Sequence, residues 1–193
     1  MTGLTRDESY RLKMAKELGA ARIRLADTLG VMTPDRIREL VRFFADGVAM
    51  EIAIHCHNDF GLAVANTLAG LNAGARYFHG CVNAMGERAG MPDLAQTTLA
   101  LKHLYGRNLG IRTEHLKELA EMVAEASHQP LPAWQPVVGD NVFAHESGIH
   151  VAALLDRADS YQGLDPSLFG RHHSIVVGKH SGTRALAHVL SQR

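Results

Sequence analysis

Strand-like and helix-like segments alternate along residues 1–110 with a period of roughly thirty, and this period restricts the fold more than any other feature. ARIRLADT (21–28) reads as a strand. TPDRIRELVRFFAD (33–46) reads as a helix, with a Thr cap and a Pro in its first turn. EIAIHCH (51–57) alternates as a strand does, and FGLAVANTLAGLNAG (60–74) is a helix of small residues ended by Gly74. ARYFHGCVNAMG (75–86) is a third strand running into a glycine-containing loop, followed by its helix DLAQTTLALKHL (93–104). A polar helix over 7–19 precedes them all. Short loops between alternating elements imply right-handed βαβ units and a parallel sheet. The strands end at Asp27, His57 and Asn83. A (β/α)8 barrel of ~250 residues spends ~30 per unit, so the segment holds about three of eight units. Three units cannot close a barrel, and an open parallel sheet needs helices on both faces.

Beyond this segment the texture changes. TEHLKELAEMVAEAS (113–127) is an amphipathic helix, HQPLPAWQPVVGDN (128–141) carries three prolines, and the rest mixes short helices with Gly turns. The expected organisation is a partial TIM-barrel domain over 1–112, a helix and Pro-rich linker over 113–140, and a small helical or α+β subdomain over 141–193. The last is too small to be stable alone.

Composition excludes several function classes. A hydrophobic fraction of 46%, a charged fraction of 21% and a net charge of +0 describe an ordinary soluble protein, with no broad attraction to nucleic acid or anionic membrane. No apolar run approaches the ~20 residues of a membrane span, and the polar N-terminus is unlike a signal peptide. The two cysteines fall on different strands with opposite facing, which argues against a disulfide and fits a reducing cytoplasm.

The chemistry concentrates at the strand ends. Strand parity puts Ile52, Ile54 and Cys56 on one face and Ala53, His55 and His57 on the other, with Asn58 or Asp59 free to cap the following helix. Two imidazoles at i and i+2 converge on a point ~2.0–2.1 Å from each nitrogen, as a divalent metal requires. The bland alternative is a pair of satisfied polar residues at a barrel mouth. A metal hydrolase also uses H-x-H on a barrel strand, but on the first one, whereas a complete βα unit precedes this motif. Thr28 shares the parity of Arg24 and Ala26 and faces inward, where its hydroxyl can bind a substrate carboxylate. Asp27 is placed to cap or orient neighbours, and plain turn-capping is an equal reading for both. Glu87 and Arg88, flanked by glycines, either orient a substrate by charge or form a self-paired turn. Cys81 and Asn83 face inward, with Cys81 a core residue and not a nucleophile. In the terminal segment His145, His150 and Tyr161 have acid–base capability, although spacing alone favours capping and core hydrogen bonding. GKHSG (178–182) lacks the full P-loop pattern.

Taken in order, LADTLG, HCHNDFGLAVANTLAGLNAGA, VNAMGERAG, FAHESGIH, YQGLDPSLFG and GKHSG resemble the homocitrate synthase/2-isopropylmalate synthase family of metal-dependent acyl-CoA condensing enzymes. The resemblance runs from about residue 6 to 190 and is strongest toward the nitrogen-fixation type of homocitrate synthase. It implies a (β/α)8 barrel whose sixth, seventh and eighth strands are those found here, followed by a subdomain that reaches into a partner protomer. It matches His55 and His57 to two metal ligands and Thr28 to a contact of the 2-oxo acid. It matches His150 and Tyr161 to the pair delivered over the neighbour's active site.

The implied reaction condenses acetyl-CoA with 2-oxoglutarate to give homocitrate and CoA. A divalent metal (Mn, Zn or Mg) acts there as a Lewis acid on the 2-oxo group. 2-Isopropylmalate and citramalate synthases are the close alternatives. A cleaving lyase is disfavoured, because GERAG replaces its usual cysteine loop and SGIH is present. Two departures stand out. Met91 replaces an asparagine that follows GERAG in isopropylmalate synthases, and a thioether is a poor ligand for a hard ion, which favours homocitrate synthases. The family's first-strand D-x-x-L-R-D-G, source of a metal carboxylate and a catalytic arginine, is absent. The expectation is a fragment, a non-catalytic half-subunit or one subunit of a split enzyme, inactive alone, acting as a homodimer or with a complementary N-terminal chain.

Overall fold

Apolar residues at alternate positions of 22–27 and 51–56 lay two strands side by side. The computed structural model describes residues 6–47, 50–157, 163–179 and 181–191. It divides into two compact units, Met1–Leu109 and Gly110–Arg193. In the first, helix α1 (Arg6–Glu17) precedes strand β1 (Arg22–Asp27), helix α2 (Pro34–Gly47), strand β2 (Glu51–Cys56) and helix α3 (Ala63–Ala73). Strand β3 (Tyr77–Phe78) and helix α4 (Leu94–Leu99) follow. The sheet is parallel, in the order β1-β2-β3, with Arg22 opposite Glu51 through Asp27 opposite Cys56.

The helices form for local reasons. Pro34 opens α2 with its φ preset, and Asp35 in the first turn suits the helix dipole. Ile37 and Val41 then lie one turn apart on the buried stripe, 1% and 0% exposed. They meet Ile52, Ile54, Cys56, Leu68 and Leu71, and this cluster is the core of the unit. Each such aliphatic side chain gains roughly 1.5–3 kcal/mol on burial. Small residues let α3 lie close to β2: a Cβ on Gly70 would stand 2.3 Å from Ile54 Cδ1. Gly74 ends α3 at φ 126, a conformation side chains resist.

The third strand is shorter than its sequence pattern predicts. Only Tyr77 and Phe78 pair with β2, and an isolated bridge joins Cys81 to Asp93. Between them Asn83 and Ala84 adopt φ of 57° and 56°, which turns the chain out of the extended direction. Helix α4 likewise ends early, widening into a π-type turn over Ala100–Leu104. Strand β1 stops at Asp27, so Thr28 belongs to the following turn, closed by Gly30 N–H donating to the Asp27 carbonyl at 3.2 Å.

In the second unit a short 3-10 turn (Thr113–His115) leads into helix α5 (Leu116–Ser127), which His128 ends in the left-handed region. Residues 129–143 fold back on themselves: Asn141 N–H donates to the Ala133 carbonyl and Gly139 N–H to that of Gln135, both at 2.8 Å, and Val138 is buried. Strand β4 (Ala144–His145) pairs in parallel with strand β5 (Ser174–Ile175). Helices α6 (Gly148–Asp156) and α7 (Thr183–Ser191) are tied by Arg184 to Asp156 at 2.6 Å. Val151, Phe143 and Phe169 are buried here. Among the described residues no helix is long and apolar enough to cross a membrane.

Candidate metal and substrate site at the strand ends

The alternation of β2 carries into the residue just after it, so His55 and His57 share the face opposite the core helices. His55 Nε2 lies 3.2 Å from His57 Nε2, and His55 Nδ1 lies 3.0 Å from His79 Nδ1. The rings meet edge-on, with centroids 5.0 and 5.2 Å apart. Burial first, then His79, His57 and Arg24, holds the His55 imidazole below its ordinary pKa and favours the neutral form. A neutral ring has one N–H and one lone pair, so His55 donates to one neighbour and accepts from the other. His57 Nδ1 is buried without a hydrogen-bond partner among the described residues.

The facing Nε2 atoms fit a divalent ion. His55 and His57 would hold such an ion through these two nitrogens, and it would supply a Lewis acid there. His79 then stands behind His55 as the partner of its other nitrogen, the usual device for fixing a ligand's tautomer and orientation. Among the described residues no group of three or more His, Cys, Asp or Glu is arranged to hold a metal. The nearby carboxylates have other tasks. Asp27, 5% exposed, accepts the Val31 and Met32 N–H groups at 3.1 and 3.0 Å, as its sequence position implies. Asn58, not Asp59, serves α3: its Oδ1 accepts from Ala63 N–H at 3.1 Å.

Asp59 is held by Arg88 instead. The guanidinium donates to both carboxylate oxygens, at 2.7 and 3.0 Å, and through Nη2 to the Thr28 carbonyl at 2.6 Å. That pairing holds the Asp59 carboxyl below its ordinary pKa. Thr28 itself is exposed. Met91, 6% exposed, is a packing residue against Gly86. Cys56 is wholly buried, and burial pushes its thiol up to about 12, which makes it inert. Burial raises Cys81 as well.

The second unit carries its own pair. His145 Nε2 lies 3.1 Å from His173 Nδ1, and burial, then His173 and His150, lowers the His145 pKa. His150 sits exposed in the first turn of α6, and Tyr161 lies outside the described residues. The GKHSG turn closes on itself: Gly178 N–H donates to Ser181 Oγ at 2.9 Å and Ser181 N–H to the Gly178 carbonyl at 3.1 Å. Sequence reasoning missed His79, His173 and the Arg88–Asp59 pairing. The parity of His79 with the inward-facing Cys81 was its one signal.

Comparison with known proteins bears on the family of the chain. The HMGL-like family matches residues 9–123, and the homocitrate synthase post-HMGL domain-like family matches residues 137–193. A 2-phosphonomethylmalate synthase of Streptomyces rubellomurinus is 52% identical over 177 residues, covering 91% of this chain and 47% of that protein. A 2-isopropylmalate synthase of Caldanaerobacter subterraneus is 48% identical, covering 90% and 45%. Homocitrate synthase 1 of Nostoc is 41% identical, covering 96% and 50%. The chain thus spans about half the length of these relatives. In fold it is similar to the HMG-CoA lyase of Bacillus subtilis, a TIM-barrel protein, with TM-score 0.58 at 23% identity over 67% of this chain and 46% of that one. The family match over residues 9–123 takes in more than half of the sequence, and the chain belongs to the HMGL-like family.

Proposed function

We propose that this chain is the C-terminal part of an acyl-CoA-dependent synthase that joins acetyl-CoA to a 2-oxo acid. The observation that carries it is the His55–His57 pair, with Nε2 atoms 3.2 Å apart and His79 behind it at a strand end. On this reading β1, β2 and β3 are the sixth to eighth strands of the barrel. A divalent metal held by His55 and His57 would supply Lewis-acid polarisation of the acceptor's 2-oxo group. Thr28 contacts the acceptor, and His150 and Tyr161, from a partner's second unit, serve the proton transfers. The acetyl methyl group loses a proton to that relay, its carbon bonds to the 2-oxo carbon, and the oxygen formed there takes up a proton. Water then cleaves the thioester and CoA leaves as the thiol. The remaining strands and the third metal ligand, a carboxylate, come from polypeptide outside these residues. A longer continuous chain or a separate subunit can provide them.

The acceptor assigned is 2-oxoglutarate, giving homocitrate as in the nitrogen-fixation type, supported by Met91 where isopropylmalate synthases carry asparagine. The 52% identity to a 2-phosphonomethylmalate synthase, against 41% to a homocitrate synthase, favours as second reading an acceptor bearing a phosphonomethyl group. The test is purification of the chain with whatever co-elutes from its native cell, followed by thiol release from acetyl-CoA with each 2-oxo acid and Mn²⁺, Zn²⁺ or Mg²⁺. Metal-dependent CoA release with 2-oxoglutarate, lost in H57N, is the expected result. Metal-dependent amide or ester hydrolysis without CoA release points instead to an H-x-H hydrolase. Turnover by the pure isolated chain overturns its dependence on further strands.

A further inference from the structure

We propose that Arg88 is a positioning residue, whose guanidinium clasps the loops after all three strands and fixes Thr28 relative to the His55–His57 pair. The inference rests on the function proposed above for those three residues. Arg88 lies in the loop after β3, Asp59 two residues beyond His57 at the end of β2, and Thr28 directly after β1. Nε and Nη2 grip the two Asp59 oxygens in a fork, and Nη2 also reaches the Thr28 carbonyl.

The surroundings are shaped for this contact. A Cβ on Gly30 would stand 2.5 Å from Asp59 Oδ2, and one on Gly90 would stand 1.9 Å from the Ala84 carbonyl oxygen. Asn58 N–H donates to the Gly90 carbonyl at 3.0 Å, and His57 N–H to that of Asp27 at 3.2 Å. Arg88 itself has φ 56°, as do its loop neighbours Asn83 (57°) and Ala84 (56°). Asparagine tolerates that conformation, but alanine and arginine adopt it rarely, and strain of this kind gathers at functional sites. The pair is also partly exposed, with 42% of the Arg88 side chain and 23% of Asp59 accessible. An exposed ion pair adds little to stability, so two strained residues and two obligatory glycines are poorly explained by folding alone. A rigid fork that registers three loops explains them.

The test uses the full chain and the variants R88M, R88K and D59N. It reads amide hydrogen exchange at Asn58 without metal, and Co²⁺ affinity and visible spectrum with it. R88M is expected to speed Asn58 exchange about tenfold, weaken Co²⁺ about tenfold and alter its band, with the unfolding midpoint nearly unchanged. R88K keeps the charge but not the fork and should fall between. D59N removes the same grip from the other side, and stands in if R88M does not fold. Unchanged Co²⁺ affinity and spectrum overturn the proposal, even if exchange rises, because the clasp is then merely structural. If the wild-type chain binds no Co²⁺, the metal reading fails by itself, and unchanged Asn58 protection in both variants then overturns the clasp.

Discussion

His79 Nδ1 stands 3.0 Å from His55 Nδ1, so a residue 24 positions downstream occupies the second nitrogen of a proposed metal ligand. The neighbour directly follows the next strand, whose parallel pairing sets Ile54 opposite Phe78. Replacing it by H79Q should leave the fold intact and weaken Co²⁺ or Zn²⁺ about tenfold, since groups behind a ligand typically contribute 10–100-fold to affinity. Competition against a chromophoric chelator measures this. Equal affinity in H79Q means that His55 needs no orienting partner.

Cys56 should resist alkylation in the native chain. Its side chain is 0% exposed, with burial the largest cause of its raised pKa. Iodoacetamide at about pH 8, followed by peptide mass analysis, should label Cys81 slowly and Cys56 only after denaturant is added. Labelling of native Cys56 would show that the helices leave β2 more often than the packing implies.

G70A should destabilise the first unit although alanine is the better helix former. The added methyl meets Ile54 Cδ1 at 2.3 Å in the middle of the core, and overpacking of this kind costs about 1–3 kcal/mol. Urea unfolding followed by circular dichroism reads the loss, and an unchanged midpoint would mean that Ile54 has room to move.

The second unit offers a pH test. Lys117 hydrogen-bonds Asp140 at 2.7 Å and holds its carboxyl below the ordinary value. A lowered folded-state pKa contributes stability above the unfolded pKa of ~3.9, and that contribution is lost as pH falls through the folded value. K117M should therefore lower the unfolding midpoint slightly at about pH 7, and its difference from wild type should vanish as pH falls below the carboxylate range. Lys117 also lies 3.1 Å from Glu121, one turn along the same helix. A gap that widens on acidification contradicts the assignment.

The order of strands and helices was legible because hydrophobic period and turn residues are local signals. The convergence of His55 and His57 was legible for the same reason, since parity along one strand fixes a shared face. What depended on register was not. His79, just past β3, meets His55, and His173, just before β5, meets His145, through strand offsets that no local pattern encodes. Arg88 was open to two readings, an orienting charge or a self-paired turn. Its partners are Asp59 and the Thr28 carbonyl, 29 and 60 residues away, outside its own loop. The end of β3 was misjudged because Asn83 and Ala84 take left-handed conformations without being glycine.

The sheet order leaves β1 at one border and β3 at the other, with no further strand beside either among the described residues. A border strand of a parallel sheet has a direction, and its slanted hydrogen bonds suit a newcomer running the same way. Two copies related by a twofold axis normal to the sheet would set β1 against β1 in opposite directions. Self-association through that border is therefore antiparallel, whereas completion of a barrel is parallel. Strand polarity alone thus separates a dimer joined at the sheet from an enzyme made whole.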